Sequence, residues 1–332
     1  MNEENLPLLE LRDLTVVRHS AAGAVIPANH LNISLYRGKT MGIVGESGSG
    51  KSTTAYAIMR LLESTAECSG EILFEGKDLL KLKEKEIQDI RGKKIGMIFQ
   101  EPMKCLDPSF RVEQLLLEAL NAHEKIGRNE AKRKARDMLV RVDFPEPDTV
   151  LRSYPFELSG GMCQRVMIAM VLLSSPDIII ADEPTTALDV TIQEGIIGLL
   201  KEICHEDGRA LFFVTHNFGL VAELCDDVCV MYGGSIVESG TTEDIFEHAV
   251  HPYTKGLLKA IPSAVYQGKQ LLTPIEGKPI DLASMPVGCA FAPRCAGHTD
   301  RCEKEKPQLI TVEGKHKTAC FMCCTEEGAD NV

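Results

Sequence analysis

The sequence predicts an α/β fold, and three observations carry that expectation. Five short, almost unbroken apolar runs, at 41–44, 95–99, 178–181, 210–214 and 228–232, read as strands covered on both faces, as in a parallel sheet. The first of them runs through a glycine-rich loop straight into a helical pattern. Between residues 100 and 173 the pattern turns mostly helical, which reads as an insertion into the α/β core.

Taken in chain order, the first 45 residues are expected to be β-structure. Leu9, Leu11, Leu14 and Val16 are apolar among polar neighbours, and 32–35 alternates before a turn at Arg37-Gly38. A helix is expected over 52–62, and helices over 112–120, 129–142 and 160–173. Thr242-Glu-Asp opens a further short helix, with acidic residues in its first turn as the helix dipole favours. Beyond about Ala260 the prolines at 262, 274, 279, 286, 293 and 307 interrupt any periodicity, so a loop-rich appendage is expected there. No internal repeat is present.

Composition narrows the function. The 332 residues carry 36 Lys+Arg against 48 Asp+Glu, a net charge of −12, which argues against nucleic acid as a partner. The longest apolar run, 166–173, is far short of the ~20 residues that span a bilayer. Acidic residues stand at the start where a secretory leader needs basic ones, so the expected location is cytoplasmic. The basic stretch 125–141 is expected to be a solvated helix face rather than a binding surface. Twelve cysteines are present, six of them within the last 44 residues. Clustered in a reducing compartment, they point to a metal or iron–sulfur site.

Gly45-Glu-Ser-Gly-Ser-Gly-Lys51-Ser52 fits G-x-x-x-x-G-K-[ST] between an expected strand and an expected helix. Gly45, Gly48 and Gly50 let backbone N–H groups curl around phosphates, Lys51 can reach the β- and γ-phosphates, and Ser52 can ligate Mg²⁺. Ser47 and Thr53 complete the candidate ATP contacts. At 177–183 an apolar strand ends in Asp182-Glu183. Asp182 can reach that Mg²⁺, and Glu183 can take a proton from an attacking water. Leu158-Ser159-Gly160-Gly161-Met-Cys-Gln164 opens a helix with a good N-cap and bare backbone N–H groups, a ready anion site.

Together with Gln100, Asp189 and His216, these pieces resemble the nucleotide-binding subunits of ABC transporters. The resemblance covers roughly residues 8–250 and includes the P-loop, Phe99-Gln100-Glu-Pro, the LSGGxxQ signature, the Asp-Glu strand end, Ala187-Leu-Asp189 and Val214-Thr-His216. It implies a P-loop NTPase core of ABC type with an N-terminal antiparallel β subdomain and a helical signature subdomain at about 101–173. It also implies two such subunits facing each other head to tail over two ATP molecules. Gln100 would sense the γ-phosphate and help ligate Mg²⁺, Glu183 would be the general base, and His216 would contact the γ-phosphate. Ser159, Gly160, Gly161 and Gln164 would close over the partner's ATP, with Asp189 in the loop beside them.

The chain continues with His251-Pro-Tyr-Thr-Lys-Gly-Leu-Leu, then Gly288-Cys-Ala-Phe-Ala-Pro-Arg-Cys295 and Ala-Cys320-Phe. This is similar to the C-terminal extension of ATP-binding subunits of oligopeptide and dipeptide importers. The expected organisation is a nucleotide-binding domain at 1–255 and a cysteine-bearing extension at 256–332. In that branch a [4Fe–4S] cluster is held by cysteines matching Cys289, Cys295, Cys302 and Cys320. Their gaps fit none of the ferredoxin spacings, and Cys320-x-x-Cys323 leaves Zn²⁺ as an alternative and Cys323 or Cys324 as alternative fourth ligands. The implied partners are a second ATPase subunit (a paralogue in this branch), two transmembrane permease subunits and an extracytoplasmic substrate-binding protein. The chain would then be peripheral, on the cytoplasmic side of the membrane. A non-transport ABC ATPase, or an importer of nickel or glutathione, is the alternative.

Two departures from the family stand out. Cys163 occupies a signature position that commonly holds Arg. A thiol near a helix N-terminus can be reactive, although a tolerated substitution is the plainer reading. No Phe, Tyr or Trp lies between Leu9 and Tyr36 to stack on adenine, so His19, Val25 or Ile26 would have to cover the base, and weak discrimination between ATP and GTP is expected.

Overall fold

The structure, a computed structural model, describes residues 6–20, 23–186, 188–261 and 274–323. Its strands are β1 (Leu9–Ser20), β2 (Gly23–Leu35), β3 (Thr40–Val44), β4 (Ala66–Phe74), β5 (Lys77–Asp78), β6 (Ile95–Ile98), β7 (Ile178–Asp182), β8 (Ala210–Thr215), β9 (Asp227–Tyr232), β10 (Ser235–Thr241), β11 (Ile310–Glu313) and β12 (His316–Thr318). The chain divides into two compact units. One contains Leu35–Thr40 and Lys81–Phe213, and the other contains Leu8–Ser34, Met41–Leu80 and the chain from Val214 onward.

In the first unit β6 and β7 pair in parallel, Ile95 opposite Ile178 through Ile98 opposite Ala181, and β8 lies beside β7. All three strands are wholly buried, as their unbroken apolar sequences require. The helices of this unit follow the expected pattern closely. Helix Val112–Asn121 buries Val112, Leu115, Leu116 and Leu120, one stripe of a 3.6-residue period. Helix Arg128–Arg141 buries only Ala131, Ala135 and Leu139. Its basic side chains are answered by acids: Lys132 by Glu113, Lys134 by Glu124, Arg136 by Asp148 and Arg141 by Asp207. The run is therefore a salt-bridged outer face.

The second unit holds the antiparallel sheet expected at the N-terminus, in the order β2-β1-β4-β5. The apolar residues of β1 are spaced 9, 11, then 14, 16, which breaks strict alternation. A register shift between Arg12 and Thr15, with Asp13 at φ 52°, absorbs the extra residue. Leu9, Leu11, Leu14 and Val16 are all buried as a result. The same unit contains β3 parallel to β9, β9 antiparallel to β10, and β12 antiparallel to both β10 and β11.

One expectation needed correction. The helix after the glycine-rich loop spans Lys51–Ile58 and stops short of Leu62, where Arg60 takes a left-handed φ of 50°. Helix Pro252–Lys259 precedes the appendage, which beyond Ala260 carries helix Asp300–Lys304 and strands β11 and β12 among its loops, each too short to show a period.

Candidate functional site

The site residues fall in both units. In the second, β3 is buried along its whole length and delivers the chain into the glycine-rich loop. Gly50 sits at φ 104° as the residue before the helix, and a Cβ there would collide with the carbonyl oxygen of Pro27, so only glycine fits. Lys51 is buried and its Nζ donates to the carbonyls of Gly45 and Glu46 at 2.8 and 2.9 Å, which holds the ammonium at the centre of the loop. Ser47 and Gly48 are exposed, Ser52 is half-buried and Thr53 is buried. Ser49 Oγ is buried with no hydrogen-bond partner among the described residues, an orphaned polar atom inside the cradle. The loop thus folds around a fixed cation held by two of its own carbonyls, and a cation so placed suits a triphosphate.

Pro27 places β2 against this loop. Its neighbours Val25 and Ile26 are half-buried and exposed respectively, and His19 is exposed on β1. Val25 and Ile26 therefore lie on the strand that meets the loop at Pro27. His216 is exposed just past the end of β8, where Thr215 Oγ1 accepts from Asn217 N–H.

In the first unit β7 ends in Asp182, which is buried, and Glu183, which takes a left-handed φ of 46°. A non-glycine residue in that region stores about 1–3 kcal/mol, a cost usually met at functional positions. Gln100 Nε2 donates to Glu183 Oε2 at 3.0 Å, and Thr186 Oγ1 donates to the same oxygen at 2.8 Å. The structure therefore joins Gln100 to Glu183 directly. Thr186 completes the group and was not singled out from the sequence, since a hydroxyl three residues beyond an acid carries no local signal.

The signature segment is also in this unit. Ser159 Oγ caps helix Gly160–Leu173 by accepting from Met162 N–H. Ser159 and Gly160 are exposed, but Gly161 and Gln164 are buried, and Gln164 Nε2 has no partner among the described residues. A Cβ on Gly161 would stand 2.6 Å from Ile192. Exposed Asp189 caps helix Val190–Asp207 through Ile192 N–H, while Ala187 lies outside the described residues. Cys163 is fully buried, its thiol donates to the Pro155 carbonyl at 3.3 Å, and burial raises its pKa. The thiol is shielded, which favours the tolerated substitution at Cys163 over the reactive thiol.

The cysteines of the extension converge on one cavity, lined by Cys289, Cys295, Cys302 and Cys320 together with Phe291 and Pro307. Backbone hydrogen bonds from Phe291 and Ala292 reach Cys289, one from Gly297 reaches Cys295, and ones from Met322 and Cys323 reach Cys320. Cys320 is lowered to about 6, chiefly by the Cys323 thiol and then, against burial, by those amides. Among the described residues no group of three or more His, Cys, Asp or Glu is arranged to hold a metal ion. The four thiols share a cavity without closing on a point. Cys324 lies outside the described residues.

Comparison with known proteins places these features. Residues 28–186 match the ABC transporter family, and residues 237–302 match the oligopeptide/dipeptide transporter C-terminal region. The chain is 46% identical over 311 residues to the oligopeptide transport ATP-binding protein OppD of Bacillus subtilis, covering 93% of this chain and 87% of that protein. It belongs to the family of oligopeptide/dipeptide transport ATP-binding subunits. Within that family it is also 44% identical over 317 residues to the dipeptide transport ATP-binding protein DppD of Bacillus subtilis, covering 95% and 94% of the two chains. The dimeric post-hydrolysis state of an ATP-binding cassette, bound to ADP and Pi, matches with a TM-score of 0.64 at 28% identity, over 70% of this chain and 98% of that one. As a family member the chain is an ABC ATPase for which ATP and Mg²⁺ are expected. No helix among the described residues is long and apolar enough to cross a membrane.

Proposed function

We propose that this chain hydrolyses ATP to energise import of di- or oligopeptides, as one of two ATPase subunits on the cytoplasmic side of a membrane transporter. The observation that carries this reading is the presence in one chain of a glycine cradle around Lys51 and a peptide-transporter C-terminal region. The partners are a paralogous ATPase, two permease subunits and an extracytoplasmic substrate-binding protein. None of the features calls for nucleic acid.

Gly45, Ser47, Gly48, Gly50, Lys51 and Thr53 bind the phosphates. Ser52, Asp182 and Gln100 supply oxygen ligands for Mg²⁺, a donor set suited to a hard cation that neutralises charge on the phosphates. Glu183 accepts a proton from the attacking water. The water oxygen bonds to the γ-phosphorus, the bond to the β–γ bridging oxygen breaks, and ADP and phosphate result. Its hydrogen bonds from Gln100 and Thr186 hold that carboxylate in place. His216 contacts the γ-phosphate. On the signature side, exposed Ser159 and Gly160 reach the partner's ATP. Buried Gly161 and Gln164 support them from below, Gly161 by close packing on Ile192. Val25 and Ile26 cover the base, so ATP and GTP should bind with similar affinity.

The four cysteines Cys289, Cys295, Cys302 and Cys320 hold a [4Fe–4S] cluster. Their shared cavity and the amide hydrogen bonds to their sulfurs support this, and a cluster takes one thiolate per iron without requiring the four to meet at a point. Four thiolates of that kind would cross-link a proline-rich segment with little core of its own. The nucleotide-binding domain is read as 1–255 and the extension as 256–332.

Glu183→Gln tests the reading. Wild type should turn over ATP, and the variant should bind ATP, lose turnover by at least a hundredfold and accumulate as an ATP-bound dimer with its partner subunit. Equal behaviour of the two proteins would refute it.

A further inference from the structure

Arg294 lies one residue before Cys295, in the extension, yet its guanidinium is spent on the phosphate loop. Nη1 donates to Glu46 Oε2 at 2.6 Å and Nη2 to Glu46 Oε1 at 3.0 Å, the two-pronged geometry that makes Arg–carboxylate pairs strong. Its side chain is only 4% exposed. The remaining donors are fixed as well, Nε on the Glu276 carbonyl at 3.0 Å and Nη1 also near the Tyr232 hydroxyl. The guanidinium lies near the rings of Tyr232 and Phe291, about equally far from both centroids. A second tether reaches the same residue: Glu46 N–H donates to the hydroxyl of Tyr253, which is fully buried.

Glu46 is the residue after Gly45, and its carbonyl accepts from Lys51. A bare carboxylate at that point would stand beside the triphosphate and repel it. With Arg294 forked onto it, the charge is cancelled and the loop's second residue is fixed before nucleotide arrives.

We propose that Arg294 is a positioning residue for nucleotide, carried by the cysteine-bearing extension, which neutralises and holds Glu46 so that the phosphate loop is preset for Mg–ATP. The extension is then part of the nucleotide site. This rests on reading residues 45–52 as that site. Losing Arg294 leaves Glu46 charged and unrestrained, so nucleotide binding weakens while turnover at saturation is little altered.

The test uses the full chain, a fluorescent ATP analogue with Mg²⁺, and titration at low and high salt. Arg294→Ala should bind about tenfold more weakly than wild type, with the deficit shrinking as salt rises. Adding Glu46→Gln to Arg294→Ala should recover most of the loss, which a merely structural tether would not allow. Arg294→Lys, which keeps the charge but not the fork, should fall between. Wild-type affinity in a folded Arg294→Ala, or no recovery in the double variant, overturns the proposal. If Arg294→Ala does not fold, Arg294→Lys decides. A threefold or greater loss upholds the proposal and wild-type affinity overturns it. Failure of wild type itself to bind the analogue would overturn the ATP-site reading, a distinct result.

Discussion

Gly161 and Ile192 touch so closely that a Cβ on the glycine would lie 2.6 Å from Ile192 Cγ2. The first turn of the signature helix is packed onto the first turn of helix Val190–Asp207, whose cap is Asp189. Gly161→Ala should therefore destabilise the protein by about 1–3 kcal/mol through overpacking, read from denaturant unfolding. Adding Ile192→Ala should recover part of that loss. A Gly161→Ala protein as stable as wild type would show that the helices yield freely.

Cys163 and Cys320 should differ sharply in reactivity. The first is buried and burial raises its pKa, whereas a hydrogen bond from the Cys323 thiol and backbone amides lower that of the second. Brief alkylation of cluster-free protein at pH 7, followed by peptide mapping, should label Cys320 well before Cys163. Cys163→Ser should leave the sensitivity of ATPase activity to mild oxidants unchanged.

His251 makes stability depend on pH. It is buried, accepts Tyr253 N–H at Nδ1, and burial holds its pKa near 4, with a backbone hydrogen bond to Ala319 opposing. The folded value lies below the ordinary value of 6.5, so the folded state binds fewer protons. Its contribution is complete above about pH 6.5 and is lost as pH falls toward 4, on the order of 3 kcal/mol. Unfolding free energies across that window should slope downward toward acid, and His251→Asn should flatten the slope.

Glu238 is a buried junction. Its carboxylate accepts from Val250 N–H at 2.7 Å, His251 N–H at 3.2 Å and His316 Nε2 at 2.9 Å. Glu238→Ala would orphan all three groups and should cost about 3 kcal/mol, with strand β12, which carries His316, losing amide-exchange protection first. Uniform loss of protection across the molecule would argue against a local role.

What the sequence made legible follows from how far each signal reaches. The parallel strands were readable because burial on both faces forces unbroken apolar runs such as Ile178–Ala181. The loop at 45–52 was readable because phosphate binding constrains adjacent residues. Strand β4 was missed: Glu67, Cys68 and Ser69 are exposed and Glu71 is half-buried, so only Ile72 and Phe74 show the inward period. Strands β11 and β12, flanking Gly314, are too short for any period to register. The bond from Arg294 to Glu46 spans 248 positions, so no local pattern could announce it. Gln100 meeting Glu183 was foreshadowed only by the family resemblance, because 83 residues separate them.

Strand β12 also closes a boundary. It runs antiparallel along β10, pairing Glu238 with Thr318 and Ser239 with Lys317, and β11 then shields β12 in turn. The outermost strand is only four residues long and ends in Glu313, a poor template for another chain. A protein cut before His316 would instead leave β10 unpaired along that edge at Glu238 and Ser239. Strands β11 and β12 thus guard against self-association, and their removal would turn a discrete subunit into one prone to growing by strand addition.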